Sequence, residues 1–204
     1  AFAEVMHTAL AYWQSGRSDE AFHLFKSSIL DGMYLGGSPG NFGQISTYDA
    51  ARGECYRDFG DPVGVAARTL VQGLFGVIPD MMNNRVVLRP GFPSEWESAS
   101  FETSDIAYDF TRKGLKDTYE VTLRFARPAE LTLQVKAQRD KIASVKVNGK
   151  KTSWRLKENS VGVPQIEIVT QPAPSSKIEI TWAGKPLICP EYDSLAVVGE
   201  GWRL

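Results

Sequence analysis

Apolar positions fall into two regimes along the chain, a helical spacing in the first third and a period of two beyond it. Phe2, Val5, Met6, Ala9 and Trp13 recur at i, i+3, i+4, i+7 and i+11, which predicts one face of an amphipathic helix. Ser15-Gly16-Arg17 ends it. Ser18 then reads as an N-cap, with Asp19 and Glu20 set favourably against the positive end of a second helix dipole. That helix carries Ala21, Phe22, Phe25 and Ile29 as its stripe, and the short connection makes the pair an antiparallel αα-hairpin. A long loop is expected from about Asp31 to Asp61. Asp61-Pro62 restarts order, Asp as N-cap and Pro at the first helical position. Val63, Ala66, Ala67, Leu70 and Leu74 give a third stripe, stopped by Gly76 and Pro79. The small residues Gly64, Ala66 and Ala67 favour close helix contact.

From Arg85 onward the pattern is that of strands. Arg85–Arg89 is one candidate, ended by Pro90-Gly91. Tyr119, Val121, Leu123 and Phe125 alternate with polar neighbours, as do Leu131, Leu133 and Val135. Val145-Lys146-Val147 runs into Asn148-Gly149, a type I′ hairpin signal. Ile166 and Ile168, then Ile178, Ile180 and Trp182, supply later strands. Short strands separated by turns predict an antiparallel β-sandwich. The expected class is α+β in two parts, residues 1–83 helical and 84–204 a sandwich. Trp96, Trp154 and Trp182 are expected in the sandwich core or its interface with the helices. Three helices cannot enclose a core by themselves, so their missing partners are expected upstream or in another chain.

Composition narrows the function. The 204 residues carry 23 Lys plus Arg against 24 Asp plus Glu, a formal net charge of −1, which points away from nucleic acid or an anionic membrane as partner. No apolar run approaches the roughly 20 residues of a membrane span. The opening Ala1-Phe2-Ala3-Glu4 begins inside a helical pattern, which suggests a longer chain upstream. Cys55 and Cys189 are far apart and read as two unpaired thiols. His7 and His23 fall in helical patterns, so no histidine-rich metal centre is expected, and no cofactor is called for.

Chemistry concentrates in the loop. Gly36-Gly37-Ser38-Pro39-Gly40-Asn41-Phe42-Gly43 is followed by Tyr48-Asp49-Ala50-Ala51-Arg52-Gly53-Glu54-Cys55-Tyr56-Arg57-Asp58. Structureless loops of this length in a compact domain are usually functional. Sugar sites use the same mixture, because apolar ring faces stack on aromatics while hydroxyls bond charged groups. Glu54 and Asp61 are the candidate catalytic carboxylates, and Tyr48, Arg52, Tyr56, Arg57 and Asp58 the candidate substrate-binding residues. Each has a plainer role open to it: capping for Asp61, ion pairing with Arg52 or Arg57 for Glu54, loop ordering for Asp49 and Asp58. The strand region offers no catalytic constellation, and its Lys-rich stretch, Lys136 to Lys157, reads as a solvated face.

The segment from Gly60 through Gly73-Leu74-Phe75-Gly76-Val77-Ile78-Pro79-Asp80 resembles the final inner helix of six-hairpin (α/α)6 glycoside hydrolases. Val87-Leu88-Arg89-Pro90-Gly91-Phe92-Pro93-Ser94-Glu95-Trp96 is similar to their exit into a C-terminal β-sandwich. Val147-Asn148-Gly149 and Ile178-Glu179-Ile180-Thr181-Trp182 are similar to the closing strands of such sandwiches, as in bacterial α-L-rhamnosidases and barrel-type α-L-fucosidases. The resemblance implies the last helices of the barrel, a periplasmic or extracellular setting and an oligosaccharide or glycoside substrate. It also implies hydrolysis with inversion, in which one carboxylic acid protonates the leaving oxygen and a second carboxylate activates water. The acid would come from an earlier hairpin, in a barrel portion outside this chain. The base would come from the region before the last inner helix, at Glu54 or Asp61. A polysaccharide lyase of the α/α-toroid type is the first rival, disfavoured because Tyr, His and Arg do not cluster. A non-catalytic carbohydrate-binding or structural module is the second.

Overall fold

The computed structural model describes residues 2–35 and 60–187, with the side chains of all of these except 33, 35 and 60–62. Helices come first and strands follow. The hairpin consists of α1 (Phe2–Gln14) and α2 (Ser18–Ile29), α2 running on into a π-helical turn at Leu30–Leu35. The third helix, α3 (Gly60–Arg68), also passes into a π-helical stretch, Thr69–Leu74. No helix among the described residues is long and apolar enough to cross a membrane.

The stripes on α1 and α2 match the spacing. Met6, Ala9 and Trp13 are buried on α1, joined by Ala3 and Leu10, and Ala21 and Phe25 are buried on α2. Ser18 does not cap. It is the first residue of α2, it is buried, and its hydroxyl accepts a 2.9 Å hydrogen bond from Lys136 Nζ. The helix start exchanges a local cap for a bond to the strand region. The α3 face is rotated from the expected stripe. Val65, Ala66, Thr69, Gly73 and Leu74 turn inward, while Val63 and Ala67 face out. That face packs on α1, where Thr69 Oγ1 donates to the Met6 carbonyl at 3.3 Å. Helix α3 begins at Gly60, so Asp61 and Pro62 lie within its first turn rather than at its cap and first position.

Gly76, in the left-handed region at φ 68°, ends the helical part; a Cβ there would stand 1.9 Å from the Arg89 carbonyl oxygen. The strands start at once. They are β1 (Val77–Asp80), β2 (Arg85–Leu88), β3 (Ser98–Glu102), β4 (Ile106–Lys113), β5 (Lys116–Leu123), β6 (Glu130–Lys136), β7 (Arg139–Val147), β8 (Lys150–Lys151), β9 (Arg155–Leu156), β10 (Gln165–Val169) and β11 (Ser175–Pro186). Pro79 therefore sits in a strand, on a sheet edge where its missing N–H is tolerated. The described strands form two sheets, ordered β1-β2-β6-β10-β9 and β3-β4-β5-β11-β7-β8.

Pairing is antiparallel except between β2 and β6, which run parallel with Leu88 opposite Leu133. The sandwich is thus mixed rather than purely antiparallel. The chain leaves β2, builds three strands of the other sheet, and returns, which supplies the long crossover a parallel pair needs. Asn148 and Gly149 have φ of 50° and 78°, as the β7–β8 turn requires.

Leu131, Leu133, Val135, Ile166, Ile168, Ile178, Ile180 and Trp182 fill the core as alternation predicts. Strand β4 is not among the strands singled out from the sequence, yet Ile106, Tyr108 and Phe110 bring its inner face into that core. Trp154 is a correction: it is 41% exposed, outside any core, on the segment between β8 and β9. The Lys-rich stretch is largely solvated, with its two end residues, Lys136 and Lys157, half-buried.

The helices dock through Trp13. Its Nε1 donates to the Gly91 carbonyl at 2.7 Å, and its ring lies so close to two glycines that neither accepts a side chain. A Cβ on Gly73 would stand 2.4 Å from Trp13 Cε3, and one on Gly91 2.3 Å from Cδ1. Gly64, singled out for close packing, has nothing within 4 Å. Two substitutions separate the cases. Gly91→Ala is expected to destabilise by about 1–3 kcal/mol through overpacking. Gly64→Ala, on an open helical position, is expected to stabilise by about 0.5–1 kcal/mol. Urea unfolding of both variants checks the sign as well as the size.

Candidate functional site

Six of the seven anticipated residues, Tyr48, Arg52, Glu54, Tyr56, Arg57 and Asp58, lie outside the described residues, as do Asp49, Cys55 and Cys189. Asp61 belongs to the first turn of α3, and its side chain is outside the described set. What the structure does describe is the frame on either side of the loop. One flank is the π-helical turn that ends at Leu35, the other α3. His7 and His23 are exposed on their helices.

That frame is tied to the sandwich at several points. Gly91 N–H donates to the Leu74 carbonyl at 3.0 Å and Arg89 N–H to that of Gly76 at 2.8 Å. Tyr108 Oη donates to the Phe75 carbonyl at 2.6 Å. Asp19 Oδ1 accepts from both the amide and the hydroxyl of Ser94, at 2.8 and 3.2 Å. Residues 89–96, which the sequence marks as an exit from the helices, are therefore held by α1, α2 and the end of the π-helical stretch together.

Beside this junction lies a cleft of about 270 Å³, bounded by the α1–α2 connection, the Pro90–Trp96 segment and the ends of β4, β5 and β6. Rings line it in series. Trp96 stacks on Phe92 at 5.9 Å, Phe92 on Phe110 at 5.2 Å, and Phe110 meets Tyr119 at 5.0 Å. Arg112 closes one side, forked onto the carboxylate of Asp117 at 2.7 and 2.8 Å. Trp182 Nε1 donates to the same carboxylate at 2.9 Å. Burial works to lower the Arg112 pKa, but the bonds and charge of Asp117 outweigh it and raise it.

Asp117 is 1% exposed and was not anticipated. Its signal was present: it stands two residues before Tyr119 on a strand whose inward positions run 117, 119, 121 and 123. An acid at an inward position demands a buried partner, and Arg112 on the neighbouring strand, opposite Asp117 in register, provides it.

Comparison with known proteins gives a likeness in fold. No family model matches the chain, and no curated protein matches its sequence. Among solved structures it is similar to an α-L-rhamnosidase from Dictyoglumus thermophilum, with a TM-score of 0.57 and 12% identity over 89% of this chain and 21% of that one. A GH127 β-L-arabinofuranosidase from Geobacillus stearothermophilus T6 aligns over 82% of this chain and 28% of its own, at 13% identity and a TM-score of 0.32, too distant to carry an argument. The fold is therefore α+β, helices followed by a β-sandwich, in an arrangement shared with a glycoside hydrolase. The chain spans about a fifth of the rhamnosidase's length.

Two expectations concern charge. Asp117→Asn leaves Arg112 without its counter-charge in a largely buried site, and a loss of about 3–5 kcal/mol is expected in chemical unfolding. On β10, burial pushes the Glu167 carboxyl up, yet hydrogen bonds from Arg155 and Gln134 leave it below its ordinary value. A lowered folded pKa means this contribution is present above the unfolded pKa of about 4.3 and is lost as pH falls through the folded one. Glu167→Gln is expected to flatten the acid limb of stability against pH.

Proposed function

We propose that this chain is the C-terminal part of a glycoside hydrolase that cleaves its glycosidic bond with inversion. Residues 1–83 contribute the last hairpin, the active-site loop and the last inner helix of an (α/α)6 barrel. Residues 84–204 contribute the sandwich that braces it, with Val77–Asp80 as the strand that hands the chain over. The catalytic base is Glu54 or Asp61, and Tyr48, Arg52, Tyr56, Arg57 and Asp58 contact the sugar. The general acid stands on another part of the barrel, outside these 204 residues. The observation that carries this reading is the likeness in fold to the rhamnosidase, which covers 89% of this chain.

The chemistry follows from the residue types. A carboxylate just ahead of α3 in the sequence, or in its first turn, takes a proton from water as that water attacks the anomeric carbon. The acid on the opposite side gives a proton to the leaving oxygen. A separation of about 6.5–9.5 Å between the two leaves room for the water. A glycoside or oligosaccharide is the substrate, α-L-rhamnosides being the first to try, and a periplasmic or extracellular location suits such a substrate.

The test is aryl glycoside hydrolysis by the longer enzyme. Glu54→Gln or Asp61→Asn, whichever removes the base, is expected to lower kcat by about 10²–10⁴-fold. The 204-residue chain alone is expected to be inactive. Turnover by that chain, or full activity in both variants, overturns the assignment. A product absorbing as an unsaturated uronide makes the enzyme a lyase instead.

A further inference from the structure

Two buried side-chain atoms lack a hydrogen-bond partner among the described residues, Arg85 Nε and Gln165 Oε1. Arg85 still spends its guanidinium on Asp80 and is partly open to solvent. Gln165 is enclosed. It opens β10, it is 8% exposed, and nothing donates to its side-chain oxygen. Ile166 and Ile168 point into the core, so Gln165 and Glu167 share the outer face of the sheet. Glu167 is satisfied there by Arg155 and Gln134. Lys136, opposite Gln165 in register, reaches past it to Ser18 at the start of α2. A buried carbonyl oxygen given up by water and met by no donor costs the full loss of its hydration.

Gln165 lines a small hollow where the helical hairpin sits on this face. Gly16, Ser18, Arg89, Gln134 and Lys136 supply the rest of its polar wall, and Trp13 borders it. Gly16 is pressed so close to the β9–β10 connection that a Cβ would stand 2.8 Å from the Val161 carbonyl oxygen, which holds the turn over the sheet. The volume is about 10 Å³. One water molecule needs roughly 10–15 Å³ and two to four polar partners.

The donors on the wall are accounted for one by one. Lys136 Nζ is bonded to Ser18 Oγ at 2.9 Å, and the Gln134 amide to Glu167 at 2.8 Å. Ser18 accepts from Lys136 and keeps its own hydroxyl hydrogen to give. Arg89 is half-buried, and its guanidinium meets no acceptor among the described residues; burial pulls its pKa down with no carboxylate to restore it. The hollow therefore calls for a molecule that gives one hydrogen and accepts others. A metal cation is opposed by Arg89 and Lys136, a halide has no hydrogen for Gln165, and a sugar or phosphate exceeds the space.

We infer that this hollow is a site for one ordered water molecule, which donates to Gln165 Oε1 and accepts from the Arg89 guanidinium and the Ser18 hydroxyl. The water joins β10, the segment after β2 and the first residue of α2 through side chains that make no direct bond with one another. It is a polar tie beside the apolar one that Trp13 makes, and it does not depend on where catalysis takes place.

A crystal structure of the protein at a resolution that shows ordered solvent is expected to place one water there. Crystals grown with bromide in place of chloride are expected to show no anomalous peak at the site. Gln165→Met keeps the length of the side chain and removes its acceptor. With water bound, this change is expected to lower the melting temperature by about 2–4 °C, whereas in a dry hollow it removes an unpaired buried oxygen and raises it. Arg89→Met is expected to lower the melting temperature as well, and the double variant by less than the two losses added, since both loosen the same water. The proposal is overturned by an empty hollow, by a bromide peak, by a Gln165→Met melting temperature that stays or rises, or by strictly additive losses.

Discussion

The seating of Trp13 is the constraint on which the rest of the structure depends. Its indole belongs to α1, yet it fills the space beside Gly73, at the end of the third helix, and Gly91, on the segment leaving the first sheet. Three pieces of chain far apart in sequence thus share one ring. The ring cannot sit there if either glycine carries a Cβ, and its N–H cannot be buried without the Gly91 carbonyl to receive it. Around it, Phe25 packs edge-on at 5.7 Å, while Phe75 and Phe92 belong at once to the margins of the helical cluster and of the sandwich core. Helices and sandwich are therefore coupled by packing and not by a flexible linker.

That coupling places the chemistry. With α1 and α2 held against residues 89–96, the start of α2, Ser18 and Asp19, overhangs one end of the sandwich. The rings of Trp96 and Phe92 then continue the inner faces of β4 and β5, and the cleft is what remains between. The same docking fixes the described ends that flank residues 36–59, since α3 and the hairpin are each fastened to the sandwich. A brace of this kind suits an enzyme whose loop must hold a carboxylate at a set distance from an acid elsewhere, because small errors in position cost large factors in rate.

Much of this architecture was legible from residue patterns. The helical stripes of α1 and α2, the change of period after residue 84, the Asn148-Gly149 turn and the inward sets on β5, β6, β10 and β11 all follow from local rules. Three things were not. The α3 stripe turned, because the inner face is set by packing against α1, where Thr69 meets the Met6 carbonyl, and takes in Val65 and Thr69 in place of Val63 and Ala67. Ser18 gave up capping for a bond to Lys136, more than a hundred positions away. Trp154 stayed in solvent, since a large apolar side chain does not report its own burial.

The candidate sites divide along the same line. Glu54, Asp61 and their neighbours are visible in sequence because carboxylates, arginines and aromatics crowd one short stretch, and their types alone suggest sugar chemistry. Asp117, Arg112, Trp182 and Tyr119 carry no such signature. Each is an ordinary strand residue until the register of β4, β5 and β11 sets them around one point. The sequence by itself determined the two-part architecture and which segment is chemically rich, since periodicity, turn residues and side-chain type act over a few positions. Only the tertiary structure decided the parallel β2–β6 pair, the seat of Trp13 and the aromatic-lined cleft, because each depends on contacts between segments whose separation along the chain leaves no local trace.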